Sequence, residues 1–374
     1  MKRIGRIGTV LLLLAVLPGC WDEDSLRDAR LGYGSGYDLT PDGELMQTIE
    51  VVDEPQQTEQ QGAAKNEVES GSGYSVRQTS DIIRTKVTGD IRYFKYGFML
   101  FGRSVAEKDL YPYLDILYRD PRNPTSRVKV AVVDGTANET LRLKKVGSIL
   151  IGEFITRKIE SLEEMSVFPE LSLETMLVML LDPGQDFVLP YLKQDGKNVA
   201  AIGNALFHDQ RMTGSLNVEQ SILYSLLMGA HKKTARFVRK IKEGDRHNLE
   251  NYITFDAGGQ KSKRKMKVQV RDRHVDVYLD LNLPVKVTEF AEDHLHEKDT
   301  VNRLNKDLSD LLTRDAEAVL RKLQESGCDA FGIGRRIIAH HPALWKSMDW
   351  EQEYKNVRFH PKVTVKIVGS GVFN

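Results

Sequence analysis

The sequence predicts an α+β fold in more than one domain, with mixed and antiparallel sheets packed against helices. Three observations predict it. Val275, Val277, Leu279, Leu281 and Leu283 alternate with Asp276, Tyr278, Asp280 and Asn282, the pattern of a half-buried strand. Residues 300–325 carry Val301, Leu304, Leu308, Leu311, Leu312, Val319, Leu320 and Leu323 at helical spacing, a long amphipathic helix. In the first half, short β-branched or aromatic runs alternate with helix-like segments, which favours a mixed sheet covered by helices.

The chain opens with Lys2, Arg3 and Arg6, followed by an apolar run over residues 7–17 that is too short to span a ~30 Å hydrocarbon core. Pro18-Gly19-Cys20 comes next. A basic start, a short apolar stretch and a small residue before the cleavage point describe a secretory signal. The cysteine directly after it makes this a bacterial lipoprotein signal. Residues 1–19 are then removed, and Cys20 becomes a new N-terminus held to a membrane by acyl chains (palmitate among them) through a thioether to diacylglycerol. The plainer alternative is an ordinary secreted protein with Cys20 near its cleavage site. After Cys20 no stretch has the ~18 apolar residues of a membrane-spanning helix.

Lys+Arg and Asp+Glu both number 53, and this balance argues against a nucleic-acid binder. Cys328 is the only other cysteine, so no disulfide is expected once Cys20 is lipidated. With 41% apolar residues, the chain can build a sizeable core.

Residues 45–52 read as a strand. Residues 54–73 are rich in Gln, Glu, Gly and Ser and cannot bury enough surface to order themselves, so a flexible insert is expected there. A short helix over 75–87, an aromatic strand over 92–101 and a helix over 106–118 follow, the last broken by Pro121 and Pro124. A strand over 128–133 ends at Asp134-Gly135, and helices are expected over 140–145, 148–162 and 172–181. From Val199 a strand, a turn at 209–211 and a return strand lead into a helix over 218–228 closed by Gly229. Residues 263–270 and 275–283 form a hairpin, Pro284 interrupts it, and 285–290 continue. Asp299 or Thr300 can cap the long helix, and Gly327 suits its C-terminal turn. A strand over 362–368 ends the pattern. The domains expected are a signal peptide over 1–19, an N-terminal domain over 20–198 and a C-terminal domain over 199–374, with room for a further division near 215.

No catalytic constellation assembles from the motifs, and no cofactor or metal site is expected. His294, His296, Glu297 and Asp299 lie close together, but a polar loop before a helix cap accounts for them. The adjacent pair His340-His341 diverges in any regular structure. Gly32-x-Gly34-x-Gly36 and Gly332-x-Gly334 lack the rest of a phosphate loop and read as turn glycines. Cys328 follows a helix C-terminus, where the dipole opposes a thiolate, so it reads as core filling. The basic run Lys261, Lys263, Arg264, Lys265 and Lys267 reads as a solvated hairpin edge, with contact to acidic lipid head groups as the rival. Trp345 and Trp350 are expected in the core.

The remaining signals are combinations. "GCWDEDSLRD" sets Trp-Asp after Cys20, "AIGNALFHDQRMTGSLNVEQS" precedes a helix, and the stretch from "SGCDAFGIG" to "VTVKIVGSGV" ends the chain. Together they resemble the Ger(x)C spore-germination lipoprotein family, the C subunits of nutrient germinant receptors. The resemblance rests on residues 19–22, 205–207, 209–216, 329–334, 342–345, Trp350, 363–367 and Gly371, with a looser match at 97–102. It departs near the start, where Leu26 and Ala29 stand in a polar setting and the 54–73 insert is long.

The resemblance implies a non-enzyme of α+β fold, anchored on the outer face of the spore inner membrane and acting with membrane A and B subunits. A binding or assembly module is also what the lipid anchor and the missing catalytic motifs suggest. The alternative is an extracytoplasmic solute-binding lipoprotein, which would have two similar α/β lobes; the hairpins after Lys263 argue against it.

Overall fold

The computed structural model describes residues 29–53, 65–120, 125–230 and 232–370, apart from 243, 246, 259–261, 273 and 293. A nine-stranded mixed sheet occupies the first half. Its strands are β1 (Ala29–Leu39), β2 (Leu45–Asp53), β3 (Lys65–Gly73), β4 (Asp90–Arg92), β5 (Phe98–Gly102) and β6 (Lys129–Val133). After a small ribbon of β7 (Lys145–Val146) and β8 (Ile149–Leu150), β9 (Val188–Asp195), β10 (Asn198–His208) and β11 (Arg211–Asn217) complete it. The order is β11-β10-β9-β6-β5-β1-β2-β3, with β4 beside β1. The centre is parallel: β1 with β5, β5 with β6, and β6 with β9. The flanks are antiparallel.

The central strands are apolar on both sides because helices cover both faces. On one face Phe98, Leu100, Ala131 and Val133 meet Ile151, Ile155 and Ile159 of helix Ile151–Glu164. On the other, Met99, Phe101, Val130 and Val132 meet Leu110 and Leu114, with Met176 and Leu177 of helix Leu173–Leu180.

A five-stranded sheet follows: β12 (Ala235–Lys240), β13 (Tyr252–Ala257), β14 (Lys263–Arg271), β15 (His274–Phe290) and β16 (Arg358–Gly369). β15 pairs antiparallel with β13 and β14 and parallel with β16. Its odd-numbered side chains from Val275 to Val287 are all buried. Helix Lys298–Glu325 lies on that face through Leu304, Leu308, Leu312, Ala316, Val319, Leu320 and Leu323. Helix Val218–Met228, held at its start by an Asn217–Gln220 capping box, belongs to the same core.

Four expectations differ from the structure. Within the insert expected to be flexible over 54–73, residues 65–73 form β3, paired along its length with β2; residues 54–64 lie outside the described residues. An edge strand is held by backbone hydrogen bonds, so a polar composition does not forbid it, and Val68 supplies one buried anchor. Gly32, Gly34 and Gly36 are not turn residues but alternate positions of β1. A Cβ on Gly34 would meet the Phe98 ring at 2.3 Å, and one on Gly36 would meet the Ala137 Cβ at 2.6 Å. The long helix begins at Lys298 with Glu297 as its first flanking residue, and the Thr300 hydroxyl donates back to Glu297. The boundary expected between 198 and 199 falls at the first residues of β10, and the first sheet continues to Asn217.

Candidate functional site at the junction of the two halves

The loop between helix Leu173–Leu180 and β9 carries Asp182, Pro183, Gly184, Gln185 and Asp186. It meets the turn that leaves helix Lys298–Glu325, where Gly327 adopts φ +68° and Cys328, Asp329 and Gly332 follow. The two loops grip each other reciprocally. The Asp186 N–H donates to the Asp329 carbonyl at 3.1 Å. The Asp329 N–H donates to Asp186 Oδ2 at 2.7 Å. Asp186 Oδ1 accepts from the Asp209 N–H at 2.8 Å, so one buried carboxylate ties three segments together.

Asp329 also caps a helix. Gly332, at the start of helix Ile333–His340, has no side chain to offer, and the Asp329 carboxylate accepts instead from the N–H groups of Ile333 (2.9 Å) and Gly334 (2.7 Å). Burial nevertheless pushes the Asp329 carboxyl up to about 8, against those two donors and reinforced by neighbouring Asp186. Gly334 is required by close approach: a Cβ there would lie 2.6 Å from Trp350 Nε1 and 2.8 Å from Gly184 Cα. Arg335 closes the contact through its N–H to the Gly184 carbonyl (2.8 Å) and its guanidinium to Asp182 (3.2 Å).

Around this pair, Tyr354 Oη donates to the Cys328 carbonyl at 2.8 Å. Cys328 is fully buried, and burial raises its thiol well above the ordinary range, which keeps it protonated. His208 Nδ1 stands 3.5 Å from Asp186 Oδ2, and this neighbour raises the imidazole pKa above 6.5. Asp186, His208 and Asp209 offer ligand atoms within 4.8 Å of one another. Both Asp186 oxygens, however, already accept backbone N–H groups, so the cluster works as a brace between loops.

The other residues singled out in the sequence lie elsewhere. Cys20 and Lys261 fall outside the described residues. His294, His296 and Glu297 are exposed, with His294 Nδ1 3.6 Å from Glu297 Oε1. His340 and His341 are exposed, and Lys263, Lys265 and Lys267 are exposed on β14. Trp345 and Trp350 are only partly buried at the rim of the core, rings 5.9 Å apart, which corrects the expectation of full burial. Sequence reading passed over Asp186 and took Asp329 only as part of a motif, because the two lie 143 residues apart.

The comparisons with known proteins follow this architecture. Residues 22–194 match the family model described as the spore germination protein N-terminal domain. Residues 202–371 match the model described as spore germination B3/GerAC like, C-terminal. The spore germination protein GerQC of Bacillus cereus is 22% identical over 364 residues, covering 97% of this chain and 98% of its own length. YfkR of Bacillus subtilis (strain 168) is 22% identical over 391 residues, covering 99% and 98%. The crystal structure of the GerBC protein matches with a TM-score of 0.53 at 17% identity, covering 90% of this chain and 97% of that one, and supports the multi-domain α+β fold. The chain belongs to the Ger(x)C spore-germination family. Its role is accordingly that of the C-type component of a germinant receptor.

Proposed function

We propose that this chain is a lipid-anchored, non-catalytic C subunit that must assemble with the membrane A and B subunits of a nutrient germinant receptor. The observation that carries the reading is the pair of family models, which cover both halves of the chain in order. The anchor is Cys20, after removal of residues 1–19, and it holds the body on the outer face of the spore inner membrane. Among the described residues no helix is long and apolar enough to cross a membrane, which is compatible with a body held by acyl chains. Residues 20–198 and 199–374 act as the N- and C-terminal germination domains, with β10 and β11 of the second completing the sheet of the first and the Asp186–Asp329 contact tying the two further.

The test is genetic and chemical together. Deleting the gene should abolish the response to one class of nutrient and leave growth, sporulation and non-nutrient germination intact. Mass spectrometry should find Cys20 as an acylated N-terminus, and Cys20→Ala should weaken the nutrient response. A normal nutrient response in the deletion strain would overturn the receptor role, and an unmodified N-terminus elsewhere would overturn the anchor.

A further inference from the structure

The outward face of the second sheet concentrates positive charge in a chain that is neutral overall, with 53 cationic and 53 acidic side chains. Register decides which residues share that face. On β14 it presents Lys263, Lys265, Lys267 and Arg271. The directly paired positions on β15 are Asn282, Asp280, Tyr278 and His274. On the other side of β15 the parallel pairing brings in Arg358, His360, Lys362 and Lys366 of β16, and Lys286 extends the row on β15 itself. All eight lysines and arginines are exposed, and none forms an ion pair with a described residue. Two acids of these strands, Asp276 and Asp280, share the face, and a third, Asp256 of β13, lies in register beside Lys286 and is bound by Arg236. Asp276 accepts from or pairs with His360 Nε2 at 2.8 Å, and Asp280 lies in register between Lys265 and Lys362. At ~3.3 Å per residue and ~4.8 Å between strands, the surface is a slab about 40 Å long and three strands wide.

The inner face of the same strands is packed under helix Lys298–Glu325, while the outer one carries no helix among the described residues. Solubility alone is served by interspersed charges of both signs. A sheet face with eight cations and few acids in a balanced chain instead suits an extended, weakly structured anionic surface. Tyr278, stacked on His360 with centroids 4.6 Å apart, places a partly exposed aromatic with a polar tip near its middle, a side chain suited to a head-group boundary. We propose that the outer face of β14, β15 and β16 docks on an anionic lipid leaflet and orients the body on it. The orientation rests on the proposed Cys20 anchoring; the affinity of the face for anionic lipid does not.

Each cation that reaches such a leaflet strengthens binding about fivefold, an effect confined to a Debye length of about 10 Å. The test is co-sedimentation of the full chain with vesicles of phosphatidylcholine alone or mixed with phosphatidylglycerol. The chain should prefer the phosphatidylglycerol vesicles, and about 0.5 M salt should remove the preference. Combining Lys263→Glu, Lys265→Glu and Lys267→Glu should reduce the preference by about tenfold or more. Combining Lys108→Glu, Lys197→Glu and Lys346→Glu, exposed lysines elsewhere, changes net charge equally and should preserve it. Circular dichroism should show both variants folded. Equal binding of the unaltered chain to the two vesicle types would overturn the proposal, and so would an equal loss in the two variants. If the first variant fails to support germination although the unaltered chain shows no lipid preference, the face serves an acidic protein and the proposal fails. Loss of the anchor would lower binding to both vesicle types alike, so its failure is distinguishable.

Discussion

The backbone N–H of Val365 donates to the Ser309 hydroxyl at 2.8 Å. Two more bonds of the same kind flank it, Val363 N–H to Thr313 Oγ1 at 3.1 Å and Ile367 N–H to Asn305 Oδ1 at 2.8 Å. Asn305, Ser309 and Thr313 are four apart on helix Lys298–Glu325 and rise ~6 Å per step, close to the ~6.6 Å between alternate residues of a strand. One edge of β16 is paired with β15; helix side chains satisfy the other. An edge that would otherwise present open N–H groups to another chain is thereby covered.

Ser309→Ala should leave the Val365 N–H unsatisfied at a partly buried position. The expected cost is about 1–3 kcal/mol. Urea denaturation would read it as a lower midpoint with an unchanged slope. An unchanged midpoint would mean that water replaces the hydroxyl and that the helix covers the edge by packing alone.

Gly334→Ala tests the junction. The added methyl would meet Trp350 on one side and the Gly184 backbone on the other, and backbone cannot swing away as a side chain tip can. Overpacking of this kind costs about 1–3 kcal/mol. The change should also appear in tryptophan fluorescence, since Trp350 must move. Unaltered fluorescence and stability would show that the two loops have slack.

Stability should fall as pH rises from about 6 to about 9. Burial pushes Asp329 up to about 8 and Glu50 up to about 7. A carboxyl raised above its unfolded value binds its proton more readily in the folded state. Folding therefore weakens as pH rises through the interval, and the penalty is complete only above the folded value. His208, raised chiefly by Asp186, works in the same direction: its stabilisation is present below its ordinary 6.5 and is lost as pH rises. The melting temperature should drop by about 2 °C or more over that range, corresponding to roughly 1 kcal/mol. Combining Asp329→Asn with Glu50→Gln should flatten the slope. A melting temperature that rises over the range would contradict the assignment.

The parts of the fold with a visible period were legible in the sequence. The alternation of β15 and the stripe of helix Lys298–Glu325 announce themselves because each buries one face only. The apolar runs of β5 and β6 likewise follow from burial on both faces. β1 and β3 were hidden for opposite reasons. In β1 glycines stand where neighbouring rings leave no room for side chains, and β3 is a polar edge whose order comes from backbone pairing with β2. The junction was not legible, because Asp186 and Asp329 are 143 residues apart and no local pattern couples them. The basic face was half legible. Lys263, Lys265 and Lys267 form a visible run, but Arg358, Lys362 and Lys366 join them only through the parallel pairing of β15 with β16.

The two tryptophans separate the core from its rim. Sequence reasoning expects Trp345→Ala to cost about 3–5 kcal/mol, as for a fully buried aromatic. Trp345 instead lies on the short helix Pro342–Ser347, which has no buried residue. Trp350 sits deeper: its ring is 5.8 Å from buried Tyr354, its indole nitrogen is buried, and Gly334 exists to make room for it. Trp350→Ala should therefore cost about 3 kcal/mol, the low end for aromatic truncation, and Trp345→Ala about half that or less. The loss at Trp350 should also loosen helix Ile333–His340, because the ring packs against its first turn. Hydrogen exchange at the Ile333 and Gly334 amides, which the Asp329 carboxylate caps, would report it. If Trp345→Ala proves the more damaging change, the rim is the true core contact. If neither changes stability yet nutrient germination is lost, both rings belong to a surface that another receptor subunit covers.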